Sequence, residues 1–182
     1  MAGTDATFEG LLTETAEIAR PRVELDPDGG PKTPVYEPSG ESVRVRITPA
    51  HCGSEDDLLG RTEEVEHVIY AMPADIRMGD RLVVRPVTTT LTEDVDADAT
   101  ALPVSSTAGV VDGQRVEVGD EELTVTAVSA EAVTVTPGVA EGYNEGEAVS
   151  VVVRYEVLGV EDAAGVGHHL RVMATTATAD GM

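Results

Sequence analysis

Short runs in which β-branched residues alternate with polar ones constrain this chain more than any other feature. Val43, Val45 and Ile47 alternate with Ser42, Arg44 and Arg46, and Pro49 closes the run. Period-two alternation is the pattern of a half-buried strand. A second strand is expected from about Val65 to Met72, stopped by Pro73. Asp75, Met78, Gly79 and Asp80 make a turn, and Arg81 to Arg85 form a third strand through Leu82, Val83 and Val84. Val151 to Gly159 and His169 to Ala174 supply two more, with Gly165 and Gly167 in the turn between them. The tail after Ala174 is small and polar, the composition of a frayed end. The chain has no Trp and one Phe, Phe8, so its core rests on Val, Ala, Leu and Ile. Such a core belongs to sheets, and the fold class that follows is mainly all-β.

Two segments read differently. Phe8, Leu11, Leu12, Ala16, Ile18 and Ala19 recur at near-helical spacing, Thr4 or Asp5 is placed to cap them, and Pro21 ends the run. This spacing predicts a short N-terminal helix over about residues 7–19. Residues 26–41 hold Pro27, Gly29, Gly30, Pro31, Pro34, Pro38, Ser39 and Gly40, which is loop chemistry.

Residues 87–150 have a character of their own. Thirteen carboxylates from Glu93 to Glu147 face one base, Arg115. Alternating runs at Ala101 to Val104, Gln114 to Val118, Glu122 to Val128, Ala132 to Thr136 and from Ala148 are separated by Gly113, Gly119-Asp120, Pro137-Gly138 and Asn144 to Gly146. Strands this short at this pace predict a small barrel or sandwich. The division expected is a discontinuous β core, 1–86 plus 151–182, carrying an inserted acidic β-domain at 87–150.

Acidic residues outnumber basic ones 34 to 12, the formal net charge is −22, and Lys32 is the only lysine. At low salt such a surface repels itself. At roughly 1 M salt the Debye length is about 3 Å and the repulsion is screened. A halophilic source, a haloarchaeal host or its virus, is the reading that fits best, with an ordinary acidic protein from a GC-rich genome as the alternative. No basic stripe is present to wrap nucleic acid, although a surface that DNA slides past is compatible with the charge. Cys52 is the only cysteine, which excludes an intrachain disulfide. No apolar run approaches the length of a membrane span, and Met1 to Gly10 lacks the basic and apolar regions of a signal peptide. A soluble intracellular chain is therefore expected.

Catalytic and metal patterns are weak throughout. His51 and Cys52 are adjacent but have no spaced partners for zinc. His168 and His169 are neighbours at a strand edge, where side chains point to opposite faces. Asp94, Asp96 and Asp98 alternate like the start of a calcium loop, but Ala99 stands where the glycine belongs and Ser105 where the bidentate Glu belongs. Ser105 and Ser106 have no nearby His or nucleophile elbow. Asp162 to Gly167 offers two glycines without the Lys or Thr of a phosphate loop. No catalytic apparatus, cofactor or specific metal site follows, and the expectation is a protein that is not an enzyme.

Val43 to Pro49, Glu66 to Ile76, Met78 to Val84, Arg154 to Val160 and His168 to Val172, taken in that order, resemble the head-closure (stopper) proteins of long-tailed phages and viruses. Members of that family commonly show a strand ending in Pro, a loop, a strand ending near Pro and Asp, a Gly-Asp turn, then Tyr-x-Val and a closing strand with His and Leu. The resemblance covers about half of the chain. It implies a small Greek-key-like β-barrel that assembles as a ring of six or twelve in the virion neck, built in the host cytoplasm. The implied partners are further copies of the chain, an adaptor or portal-side ring, a tail terminator or tail tube protein, and viral double-stranded DNA passing non-specifically. No membrane partner is implied.

In the family the loop between the first two matching strands projects into the channel as a plug. That loop maps here to Thr48 to Glu63, with Cys52, Gly53, Ser54, Glu55, Asp56, Asp57, Gly60 and Arg61 as its channel residues. Its carboxylates would repel phosphates, and Gly53 and Gly60 would let it swing. The chain departs from the pattern in its insertion, which resembles β-modules appended to other virion proteins. Another neck ring, a tail terminator or adaptor, is the nearest alternative. A cation- or glycan-binding β-domain is the alternative of another class, although the shortage of aromatics weighs against sugar stacking.

Overall fold

A computed structural model describes residues 8–22, 34–50, 65–162 and 168–177. Among them are ten strands: β1 (Glu14–Arg22), β2 (Val35–Pro49), β3 (His67–Ala71), β4 (Arg81–Thr90), β5 (Ala101–Pro103), β6 (Arg115–Val118), β7 (Glu121–Val128), β8 (Ala132–Thr136), β9 (Ala148–Asp162) and β10 (Leu170–Thr176). The fold is all-β. Its contacts divide it into two units, residues 1–84 with 154–182, and residues 85–153.

In the first unit every strand is hydrogen-bonded to two others. The order is β10-β3-β2-β1-β4-β9, and β9 pairs back with β10, which closes a six-stranded barrel. Strands β4-β1-β2-β3 stand in the 4-1-2-3 order of a Greek key. The two distant stretches of sequence therefore share one ring of hydrogen bonds: β10 pairs with β3 from Leu170↔Ala71 to Ala174↔His67. Ala16, Ile18, Val43, Val45, Ile69, Ala71, Leu82, Val84, Val157, Val172 and Ala174 are buried, and strand alternation turns them to the same inward side.

The expected N-terminal helix is not formed. Phe8 and Glu9 make a single helical turn, closed by Leu11 N to Phe8 O and Leu12 N to Glu9 O, and the chain is extended from Glu14. Ala16 and Ile18 fit both periods, so spacing alone is ambiguous. The strand prevails because β2 lies on one side of β1 and β4 on the other, and both side chains reach 0 % exposure between them. Pro21 does not end the segment either. It lies opposite Tyr36, beyond Ala19, the last β1 residue paired with β4, so its missing N–H is needed by only one neighbour.

Residues 35–41, expected as loop, are the first half of β2. The β1–β2 register shifts between Glu17↔Ser42 and Ala19↔Pro38, which sets Ser39, Gly40 and Glu41 opposite Ile18 alone. Gly40 takes φ +79° there. A bulge thus absorbs the residues that read as a linker. At the other end of the barrel β10 runs to Thr176, two residues into the tail expected to fray, because Thr175 and Thr176 still pair with Glu156 and Tyr155.

The second unit follows the order β9-β6-β7-β8-β5 and returns to the end of β4 through the Leu91–Val104 bridge. Its core is Leu91, Leu102, Val116, Val118, Leu123, Val125, Val133, Val135, Val149 and Val151 with their neighbours, and Tyr143 is the one aromatic packed against it. Gly119-Asp120 turns β6 into β7. Gly119 holds φ +56°, and a Cβ there would stand 2.7 Å from Tyr143 Cε1.

Candidate functional site

The channel residues expected from the sequence, Cys52, Gly53, Ser54, Glu55, Asp56, Asp57, Gly60 and Arg61, lie outside the described residues, as does His51. The barrel end from which that connection departs is described. Pro49 ends β2 opposite His67, the first residue of β3. Ala50 N donates to Glu66 O at 2.8 Å, and Thr48 Oγ1 donates to Val68 O at 3.0 Å. Glu66 also ties this end to β10: its N donates to Ala174 O, and its carboxylate accepts from Thr176 N at 2.8 Å. That bond holds the Glu66 carboxyl below its usual range.

Inward alternation brings polar groups together here. His67 shares the side of Ile69 and Ala71, and Thr176 and Tyr155 face each other across β10 and β9. The His67 ring meets Tyr155 edge-on, centroids 5.0 Å apart at 76°, and its Nε2 lies 3.2 Å from Thr176 Oγ1. Burial pushes the Tyr155 phenol up, and the charge of Glu14 on β1 adds to it. Burial pushes the Glu14 carboxyl up as well. The group places polar side chains at the end of an aliphatic barrel, joined by one hydrogen bond and one edge-on ring contact, while the buried Nδ1 of His67 has no hydrogen-bond partner among the described residues.

A second group fixes the β3–β4 crossover. Arg20 Nη2 donates to the Asp75 carbonyl at 2.8 Å and to its carboxylate at 3.0 Å, and lies 3.5 Å from Glu41. Arg77 grips the same Asp75 carboxylate at 2.6 and 3.0 Å, which holds that carboxyl below its usual range. Buried Asp80 accepts from Arg77 N at 2.9 Å. Arg81 lies over the Tyr36 ring at 3.7 Å. The Gly79-Asp80 turn is carried by Gly79 at φ +87° and bonded to β9 through Gly79 N to Val157 O and Val157 N to Asp80 O.

The remaining sequence candidates are dispersed. Asp94 Oδ1 accepts from Glu145 N at 2.8 Å, Val95 between the acids is buried and bridges Tyr143, and Asp98 stands at φ +65°. Among the described residues no three His, Cys, Asp or Glu side chains gather as metal ligands, and Asp94, Asp96 and Asp98 do not converge. His169 packs on Phe8, centroids 4.6 Å apart. Ser105 shares its hydroxyl with Thr89 and Thr90, and Ser106 N donates to Thr89 Oγ1, so both serines join structural bonds.

Sequence reasoning missed the His67–Tyr155–Thr176 group and a carboxylate clamp at Glu121. Glu121 accepts from Ala140 N at 2.6 Å, Glu141 N at 2.9 Å and Tyr143 Oη at 2.8 Å. These bonds lower the Glu121 carboxyl, while burial, followed by the Glu121 contact, raises the Tyr143 phenol. The parity of His67 with Ile69 was the signal available for the first group. Nothing local signals the second. No protein-family model matches the chain, and no curated protein matches its sequence.

Proposed function

We propose that this chain is a structural subunit of a tailed virion's neck, a head-closure protein whose copies ring the DNA exit channel, seal it after packaging and present the tail's docking surface. Two things support the reading: the ordered resemblance of residues 43–84 and 154–172 to that family, and one feature of the fold. Those stretches are strands of a single closed barrel, and the 51–64 connection departs from one barrel end. The partners in this reading are further copies of the chain, an adaptor or portal-side ring and a tail terminator or tail tube protein.

The test is native mass measurement and electron microscopy of the full chain at high salt, with and without a purified adaptor-ring protein from the same genome. A closed ring that binds the adaptor is expected. A lone molecule with no affinity for that ring would overturn the proposal. The plug role is tested separately by shortening residues 53–60, which should leave packaging normal and produce heads that leak DNA.

A further inference from the structure

One outward row of the barrel is out of character with the rest of the chain. Arg46 on β2 is paired with Tyr70 on β3, and Tyr70 with Arg171 on β10. Directly opposed residues share a face, and neighbouring strands lie about 4.8 Å apart, so the three side chains form a continuous row about 10 Å long. Their sequence neighbours Val45, Ile69, Ala71 and Val172 are buried on the other side of the sheet. Arg44, two residues from Arg46 and on the same side, donates to Leu12 O rather than to a carboxylate. Arg171 lies 3.5 Å from Glu161. Arg46 is exposed and has no ion-pair partner among the described residues. An exposed, uncompensated arginine beside a half-buried tyrosine is conspicuous in a chain of 34 acids and 12 bases.

Tyr and Arg are the residues enriched at the anchors of protein interfaces. The chain's own surface supplies a complementary partner. Residues 85–153 carry thirteen carboxylates and two arginines, and both arginines are engaged within that unit, Arg85 with Glu117 at 2.8 Å and Arg115 with Glu122 at 3.7 Å. Glu93, Asp96, Asp98, Glu141, Glu145 and Glu147 are all exposed. DNA is the weaker fit: the row offers two arginines, and one of them, Arg171, already lies beside Glu161, too few phosphate contacts for tight duplex binding.

We infer that the Arg46–Tyr70–Arg171 row is the docking surface for a second copy of this chain, which presents the acidic surface of its 85–153 unit. The inference rests on the ring reading above and names the contact that builds the ring. The two patches differ, so the contact is heterologous. A heterologous contact repeats head to tail and closes into a ring when its rotation allows.

The test compares the full-length chain with Arg46→Glu and Tyr70→Ala by sedimentation and native mass over a salt series. Circular dichroism and the thermal midpoint report whether each variant is folded. Each folded variant should weaken self-association by about tenfold or more, with Arg46→Lys retaining part of it. Wild-type assembly in folded Arg46→Glu and Tyr70→Ala would overturn this contact and leave the ring reading standing. A monomeric wild type would overturn the ring reading and this contact with it. A short DNA duplex is titrated in parallel. Duplex binding lost in Arg46→Glu, with assembly intact, would assign the row to nucleic acid and overturn the inference.

Discussion

Single carboxylates hold loops in this molecule, and their protonation is the most direct handle on it. Glu121 accepts from two backbone N–H groups and one phenol. Its folded pKa lies below the ordinary 4.5, so its contribution to stability is complete above about pH 4.5 and is lost as pH falls through the folded value. Glu66, held by Thr176 N, has the same sign. Thermal midpoints measured from pH 7 down to pH 3 should therefore fall less steeply in Glu121→Gln and Glu66→Gln than in the parent. At pH 7 Glu121→Ala should cost about 1–2 kcal/mol, since three donors lose one acceptor at a partly exposed site. Gly138 is a packing counterpart: a Cβ there would stand 2.6 Å from the Asp98 carbonyl oxygen. Backbone cannot swing aside as a side chain can, so Gly138→Ala should cost about 1–3 kcal/mol in a denaturant titration.

At the scale of elements, β1 separates what spacing implies from what pairing decides. A helix over residues 7–19 would put Leu11 and Ile18 on one face, two turns apart. In the barrel Leu11 is 49 % exposed and Ile18 fully buried. Ile18→Ala should cost about 2–5 kcal/mol. Leu11→Ala should stay within about 0.5 kcal/mol. Comparable losses at both positions would mean that the helical reading was right after all. Elsewhere the alternation was legible: Val43, Val45, Ile69, Leu82, Val84, Val133 and Val135 are buried on strands where their period-two neighbours implied. Residues 35–41 were not legible, because Pro38, Ser39 and Gly40 are loop residues by propensity and strand residues only through a bulge opposite Ile18.

For the whole molecule the governing quantity is charge. With a formal net charge of −22, folding gathers carboxylates that the open chain keeps apart. Salt that shortens the Debye length relieves that repulsion. The thermal midpoint should rise when KCl is raised from about 0.1 M to about 2 M, where screening lengths drop below about 3 Å. A midpoint that fell or stayed level would remove the case for a halophilic source.

Local pattern determined the class of this protein: alternation of β-branched aliphatics and closely spaced turns leave little besides sheet, since each acts within a few residues. What no local pattern carries is partnership. That β10 lies against β3, about a hundred residues away, that β1 is a strand, and that His67 meets Tyr155 are consequences of ring closure. Closing a barrel satisfies both edges of every strand at once, and that requirement outweighs the preference of any single segment.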